Sequence, residues 1–506
     1  KFGESFGVNY TNSILTLYSP TGGKSDLAAY FLRRNYSIIN SNGFVSIITT
    51  NTISQGDSKD GGLKLILNEG GKIIYANSNI KWPGNAAVTV TLFSITKNNK
   101  IAASFIGTRT VKSINANLTD FEILNNPNKL ISNRKIGLVG SYLYGEGFIL
   151  DIKDARDIIN SDSKYTKVLF PYLNGKDLND SPDLRAKRYV INFFDWEEKQ
   201  AKEFPICFKI LEETVKIERE KIYKEAKQVH EWDFWKYWDK REDDYKSIKE
   251  FENVIVTART SKTLAFAFVK NDSVYSSNLT ILSKNELSFF SIVHSNVHSC
   301  WAWEFGTKLK TDLIYAPNNI IETFPFPKII EITQEQQLDA IGEAYHEHRK
   351  QLMLGMQLGL TKTYNLFHSN AITAQSINDK DKQVASLQKH LEKNANTISF
   401  DEAIQSILKL RELHVQMDEA VLDAYGWNDI AMKHNFYEVD YLPENDRVRF
   451  TIHPDARKEV MKRLLELNHK IHEEEKASGL LDKKKTVNKK SNVVNESQAG
   501  YGGLFK

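Results

Sequence analysis

Cysteine, methionine and proline are scarce in this 506-residue chain, which holds two, five and eleven of them. Cys207 and Cys300 are too few for a disulfide framework, so a reducing compartment is the natural setting and a cysteine-rich zinc site is excluded. An excess of one charge is lacking too: the formal net charge is +3, which decides nothing for or against a nucleic-acid partner. No run approaches the ~18 uninterrupted apolar residues of a membrane-spanning helix. The opening residues carry no basic stretch followed by an apolar one, so no signal peptide is read. These absences point to a cytoplasmic chain without a membrane partner. Also missing are a Gly-x-Ser-x-Gly elbow, a Walker loop and a nuclease-type Asp…Asp/Glu-x-Lys pattern. His294 and His298 stand four apart, as two ligands on one helix face would, but Glu304 is not spaced as in a zinc protease. They are read as core or surface residues, and no metal is expected.

What is present is organised around residues 26–95. Length allows roughly two to four domains with a substantial core. Asp26 precedes an apolar-periodic helix, Leu27–Ile39, and its side chain suits the N-cap because it can accept from first-turn amides. An Asn42-Gly43 turn leads to a β-type run, Phe44–Thr50, which ends in the polar segment Asn51–Gly56. A second helix is expected over 60–69, stopped by Gly70-Gly71. Strands follow at Lys72–Tyr75 and, after Trp82-Pro83-Gly84, at Ala87–Ile95, the latter as one arm of an antiparallel pair at the sheet's edge. This is an α/β pattern of the doubly wound kind, in which ligands bind beyond the carboxyl ends of the strands. Asn51–Gly56 is therefore the expected site. Residues 1–25, rich in Gly, Ser, Thr and Tyr, are expected as a loop over it.

From about residue 110 short β-like runs (135–139, 188–193, 254–256 and 265–269) alternate with polar turns. One Glu- and Lys-dense helix intervenes, from about Phe204 to Val229, and two prolines end the stretch at Glu322–Pro327. Residues 111–330 thus read as an α+β domain following a first unit at 1–110. Residues 333–354 read as a charged amphipathic helix and Leu360–Asn396 as a polar linker, making 331–398 a helix plus linker. Ser399 or Asp401 begins a helix through Asp423, and His453-Pro454-Asp455 caps another through Glu473, giving a helical carboxyl-terminal region over 399–475. The Lys-, Asn- and Gly-rich stretch 476–506 is expected to be a disordered tail.

Several of these features, in this order, resemble the carboxyl-terminal half of adenine-specific DNA methyltransferases. The likeness is to the large methylases of Type IIG/IIL restriction-modification and related phage-defence systems. Its carriers are Asp26-Leu27-Ala28-Ala29-Tyr30-Phe31, Thr50-Asn51 at a strand end, and Trp82-Pro83 before a further β run. Phe170–Leu178 with Lys187–Ile191 resembles the entry to that family's target-recognition domain, and Glu322–Pro327 its exit. Arg411, His414, Met417-Asp418 and Ala424–Trp427 resemble the helical segment that follows. The resemblance implies that residues 1–110 are the distal half of a class I, Rossmann-like methyltransferase fold using S-adenosylmethionine. It further implies that Asp26, Tyr30, Asn51, Trp82 and Pro83 line a pocket for an adenine flipped from double-stranded DNA, with Trp82 as its stacking face. A nuclease domain or subunit is the companion such systems carry.

The sequence departs from the family at two points. The strand with a Gly-rich turn that binds the methyl donor is absent, and so is the catalytic Asn/Asp-Pro-Pro-Tyr/Phe; Asn126-Pro127 lacks the following Pro-aromatic. The family order puts that motif just before Lys1, so the chain is expected to be part of a longer protein and not to methylate DNA alone, because the target amine would go unpositioned. Within 111–330, Arg185, Lys187, Arg188, Arg259 and Lys262 are candidate DNA contacts, with the basic turn Arg259-Thr260-Ser261-Lys262 preferred. Trp232, Trp235 and Trp238 read either as further contacts or as core. The rival reading is a non-catalytic DNA specificity subunit.

Overall fold

The computed structural model describes residues 5–22, 25–86, 88–120, 126–222, 232–309, 311–328, 331–394 and 397–480. Within the expected loop 1–25 lies a helix, α1 (Val8–Leu17), that buries none of its side chains. The next helix, α2 (Leu27–Ile38), starts where Asp26 Oδ1 accepts from Ala28 N at 2.9 Å. It sends Ala29, Leu32 and Tyr36 into a core shared with β1 (Phe44–Thr50). The single helix expected at 60–69 is instead two short ones, α3 (Gly56–Gly61) and α4 (Leu63–Asn68). Gly62 separates them, and a Cβ there would stand 2.7 Å from Ser58 O and 3.2 Å from Ala29 Cβ. Only glycine lets this corner approach α2 so closely.

Then come β2 (Lys72–Lys81), β3 (Thr89–Thr96), β4 (Ser104–Ile106) and β5 (Arg109–Val111), which join β1 in one sheet of order β1-β3-β2-β4-β5. β3 pairs antiparallel with both β1 and β2, so those two run parallel to each other. It is an inner strand and not the edge arm expected; Thr91, Phe93 and Ile95 are all fully buried. Alternation in a sequence reports one buried face but not whether a second neighbour pairs. Ala87, the expected first residue of that strand, lies outside the described residues.

The middle of the chain supplies β6 (Gly137–Val139), β7 (Ile149–Asp151), β8 (Leu169–Leu173), α5 (Gly175–Asp180) and β9 (Arg188–Ile191). The helix expected from Phe204 is divided into α6 (Pro205–Glu213) and α7 (Val215–Ile222) at Thr214, whose φ of −119° and ψ of −75° distort the turn while its hydroxyl donates to Ile210 O. Its expected continuation over 223–229 lies outside the described residues. After α8 (Glu242–Ile248) follow β10 (Asn253–Ala258), β11 (Thr260–Ser261), β12 (Phe266–Lys270), β13 (Val274–Tyr275) and β14 (Leu279–Leu282). Helices α9 (Leu287–His294) and α10 (Asn296–Phe305) lead to the hairpin β15 (Thr307–Leu309) and β16 (Asp312–Ile314). Three small sheets result, ordered β12-β10-β14-β6, β13-β8-β9-β7 and β11-β16-β15.

The remaining elements are mostly helical: α11 (Ile332–Met356), α12 (Leu360–Phe367), α13 (Lys382–Lys393), α14 (Phe400–Tyr425), the hairpin β17 (Asn435–Glu438) with β18 (Val448–Thr451), and α15 (Pro454–Ala477). The stretch expected as a linker therefore contains two packed helices. α12 buries Leu360, Tyr364 and Phe367, and α13, capped by Asp381, buries Val384, Leu387 and Leu391. Their apolar positions are few, and surrounding Lys, Gln and Asn obscured the period. Arg411 of α14 closes the carboxyl end of α12, donating from Nε to Phe367 O at 2.8 Å and from Nη2 to Ser369 O at 2.8 Å. One core runs without a break from β10 and β14 through α9 and α10 into α11, α14 and α15. Two smaller cores lie under the β7–β9 sheet and under the N-terminal sheet. Most of the expected tail, residues 481–506, lies outside the described residues. Among those described, no helix is long and apolar enough to cross a membrane.

Candidate functional site

The N-terminal sheet brings its polar residues to one end. Thr50 on β1 and Ile80 on β2 both pair with Val90 of the strand between them. Asn51 and Trp82 therefore leave the sheet at the same end, about 10 Å apart across two strand spacings. Asp26 is nearby: its backbone N–H donates to Ser58 Oγ at 2.8 Å, in the helix that follows Asn51. Trp82 is 38 % exposed, and a Cβ on Gly84 would come within 2.6 Å of its indole nitrogen, so the glycine gives the ring its place. Pro83 is exposed beside it. Tyr30 is buried, edge-on to Tyr18 at 5.6 Å, and burial raises its phenol's pKa.

Asn51 itself is engaged. Its Nδ2 donates to Asn79 Oδ1, and its Oδ1 accepts from Thr91 Oγ1. Asn79 sits at a β-bulge with φ 60° and donates onward to Asp440 O at 2.6 Å. This chain of amides lines a cavity of about 350 Å³ between the sheet, α10 and the β17–β18 loop. Arg109 crosses its mouth to Asp120 at 2.8 Å and Asp440 at 3.2 Å, and Lys458 also pairs with Asp120 at 2.6 Å. On the far wall Asn117 donates to Glu304 Oε1 at 2.7 Å. None of these partners was evident in the sequence, because each lies on a different element.

The five basic candidates fall into two groups. Arg185 and Lys187 are exposed just ahead of β9, and Arg188 lies over the Tyr172 ring at 6.0 Å. Arg259 Nη1 donates to Tyr142 Oη at 2.6 Å, and Lys262 pairs with Asp446 at 3.2 Å. Lys262 and Asn179, at the end of α5, line one cleft of about 460 Å³ together with Asn365 and Gln383. Of the five basic candidates only Lys262 lines that cleft. Tyr142, Asn365, Gln383 and Asp446 are neighbours that no local motif announced. Of the tryptophans, Trp235 donates to Trp196 O and Trp232 to Tyr237 O, so both indoles brace loops.

The two histidines four apart sit on different helices, not one face. Both are buried: His298 Nε2 bonds Tyr315 Oη at 2.7 Å, and His294 accepts from Phe266 N and bonds Tyr364 Oη. Burial pushes both imidazoles down, His298 to about 3. Among the described residues no cluster could hold a metal ion.

Residues 121–328 match the family model of the MmeI target recognition domain. The chain is 25 % identical over 324 residues to DNA methyltransferase A of Bacillus subtilis (strain 168), covering 60 % of this chain and 35 % of that protein. Among solved structures it is similar to the Type IIL restriction-modification enzyme MmeI in complex with DNA, with a TM-score of 0.66 and 16 % identity. That superposition covers 93 % of this chain and 56 % of the other. The chain thus spans about a third of the curated relative and little more than half of the solved one. It is similar in fold to MmeI along nearly all its length, and residues 121–328 are similar to the MmeI target recognition domain.

Proposed function

We propose that this chain is the substrate-base and target-recognition part of an adenine-specific DNA methyltransferase in a restriction-modification system. The observation that carries the reading is the match of residues 121–328 to a target recognition domain. The sheet beside that domain supports it, because two parallel strands flank a reversed one and end together at Asn51 and Trp82, as in the distal half of a Rossmann-like methyltransferase. In this reading the exposed Trp82 stacks on an adenine drawn out of double-stranded DNA, with Pro83 shaping the approach. Asp26 caps α2 at the pocket's rim, Asn51 forms its polar wall, and Tyr30 backs it from the core.

S-adenosylmethionine supplies the methyl group in such enzymes. The described residues include no strand followed by a Gly-rich turn and helix to cradle it, and the sequence holds no Asn-Pro-Pro-aromatic to orient the amine. Those groups must be provided from outside residues 1–506 for transfer to occur. Arg185, Lys187, Arg188, Arg259 and Lys262 contribute phosphate and base contacts from the recognition domain. One observation favours the reading of a specificity subunit: both ends of the Asn51 amide are occupied by Asn79 and Thr91.

Duplex binding separates these roles. Arg259→Ala with Lys262→Ala should weaken binding to cognate duplex and flatten its dependence on salt by about one to two released ions. An unchanged salt slope removes the turn from the interface. Methyl transfer by the 506-residue chain alone would refute the division of labour. Transfer regained on adding a polypeptide bearing the donor and amine motifs would support it over the specificity subunit, provided Trp82→Ala then slows it.

A further inference from the structure

A second cleft, of about 590 Å³, opens on the recognition domain beside the end of β9, remote in sequence from the basic turn at Arg259. Its walls are Phe170, Phe194, Trp196 and Tyr245. Phe194 is unusual twice over. Its φ is +52°, a conformation in which a bulky L-residue is strained, and its ring is 43 % exposed while the adjacent Phe193 is fully buried. The turn that holds it there is tied by Phe194 N donating to Asn192 Oδ1 at 2.9 Å. The ring meets Phe170 edge-on at 5.7 Å and Trp196 at 5.9 Å, so it is braced by two aromatics while lining the cleft. A strained backbone spent on displaying a supported aromatic face is a feature of binding sites.

The polar groups at the rim narrow the ligand. Lys240 pairs with Asp195, and Lys246 with Glu242 and Asp243, so these lysines are neutralised. Lys249 is exposed and makes no ion pair among the described residues. The Nδ2 of Asn192, likewise, makes no hydrogen bond among them. Asp272, also on the rim, pairs with Lys270 at 3.5 Å, so the cleft offers an aromatic face, one amide donor and, in Lys249, a cation with no ion-pair partner among the described residues.

We propose that this cleft binds a nucleotide: the base stacks on Phe194, Asn192 donates to an acceptor on its edge, and Lys249 meets the phosphate. The choice of a nucleic-acid component rests on the reading of the chain as DNA-recognising. The nucleotide comes either free or from an unpaired end of a strand. The site is separate from the basic turn and from the pocket at Trp82.

Two fluorescent probes test it: 2-aminopurine deoxyriboside 5′-monophosphate, and a duplex with a single unpaired 2-aminopurine overhang. Stacking should quench either probe saturably. Quenching by the monophosphate marks a free-nucleotide site, and quenching by the overhang alone marks a strand end. Phe194→Gly keeps the positive φ that glycine adopts freely, so the fold should melt no lower while affinity falls about fivefold or more. Lys249→Gln should weaken the monophosphate but leave binding of the 2-aminopurine nucleoside unchanged. Absent quenching, equal affinity in Phe194→Gly, or equal affinity of nucleoside and monophosphate for the wild-type chain overturns the proposal. Saturable binding of N-acetylphenylalanine amide in place of both probes overturns it in favour of a protein segment. Arg259→Ala with Lys262→Ala should not affect binding of the monophosphate, which carries no duplex, and this keeps the outcome distinct from failure of duplex recognition.

Discussion

Mild acid should destabilise this fold well before its surface carboxylates titrate. His294, His298, His346, His368 and His414 are all held below the ordinary imidazole range, and in each the largest cause is burial. His298 is pushed down to about 3 and His346 to about 4. The unfolded chain binds these protons near pH 6.5, whereas the native fold does not. The stabilisation is therefore complete above about pH 6.5 and is lost as the pH falls toward the folded values. At pH 5.0, 1.5 units below the unfolded value, each of His298 and His346 costs about 2 kcal/mol, or about 4 kcal/mol together. The other three act in the same direction. Against a typical stability of about 5–15 kcal/mol this is a large loss. Urea unfolding followed by near-ultraviolet circular dichroism at pH 7.5, 6.5, 5.5 and 5.0 measures it. His346→Gln should remove about one proton's worth of the slope between pH 6.5 and 5.0. A stability that stays level from pH 7.5 to 5.0 would refute the assignment of these imidazoles as buried and neutral.

Other outcomes follow from close contacts. Gly140→Ala would place a Cβ 2.2 Å from Ser276 O and 2.5 Å from Tyr275 O, both backbone atoms, so stability should fall by ~2 kcal/mol or more in thermal melts. Arg411→Met would strip donors from the carbonyls of Leu366, Phe367, Ser369 and Ile372, at a cost of ~3 kcal/mol, and should expose α12 to proteolysis. Asn51→Ala leaves Asn79 and Thr91 without their shared partner, at a cost of ~1–3 kcal/mol. Backbone amide exchange should then speed up in the β17–β18 loop, which Asn79 holds through Asp440 O; unchanged exchange there would show the link to be slack.

What the sequence made legible was local. α2 and its Asp26 cap, β1, and the long helix after Ser399 could be read because periodicity and capping depend on residues a few positions apart. The helix break at Gly62 could not, because its cause is the approach of Ala29 on another helix. α12 and α13 were missed because they contribute only four and three apolar core residues, over segments too short for the period to stand out. The site divides the same way. Asp26, Asn51 and Trp82 could be named from the order of motifs, and strand register puts Asn51 and Trp82 at one end of the sheet. What Asn51, Arg259 and Lys262 actually bond to could not be named, because Asn79, Tyr142 and Asp446 are brought there only by tertiary packing.

Asn79 and Asp446 converge on one loop, between β17 and β18. Asp440 O accepts from Asn79 and its carboxylate from Arg109, on the side of the N-terminal sheet. Tyr441 stacks on Trp303 of α10 at 4.2 Å, on the side of the recognition domain's helices. Asp446 pairs with Lys262 in the basic turn and with Arg449 at 2.7 Å. The loop is closed on itself by Val439 N donating to Arg447 O at 2.9 Å. A short closed loop cannot shift one anchor and leave the others untouched. If the proposed DNA contact holds, a phosphate drawing Lys262 from Asp446 would act on the same loop that holds Asn79, and through it Asn51. The turn at Arg259–Lys262 and the amides at Asn51 and Asn79 are thus both tied to the carboxyl-terminal hairpin, which gives that region a physical role beyond supporting the core.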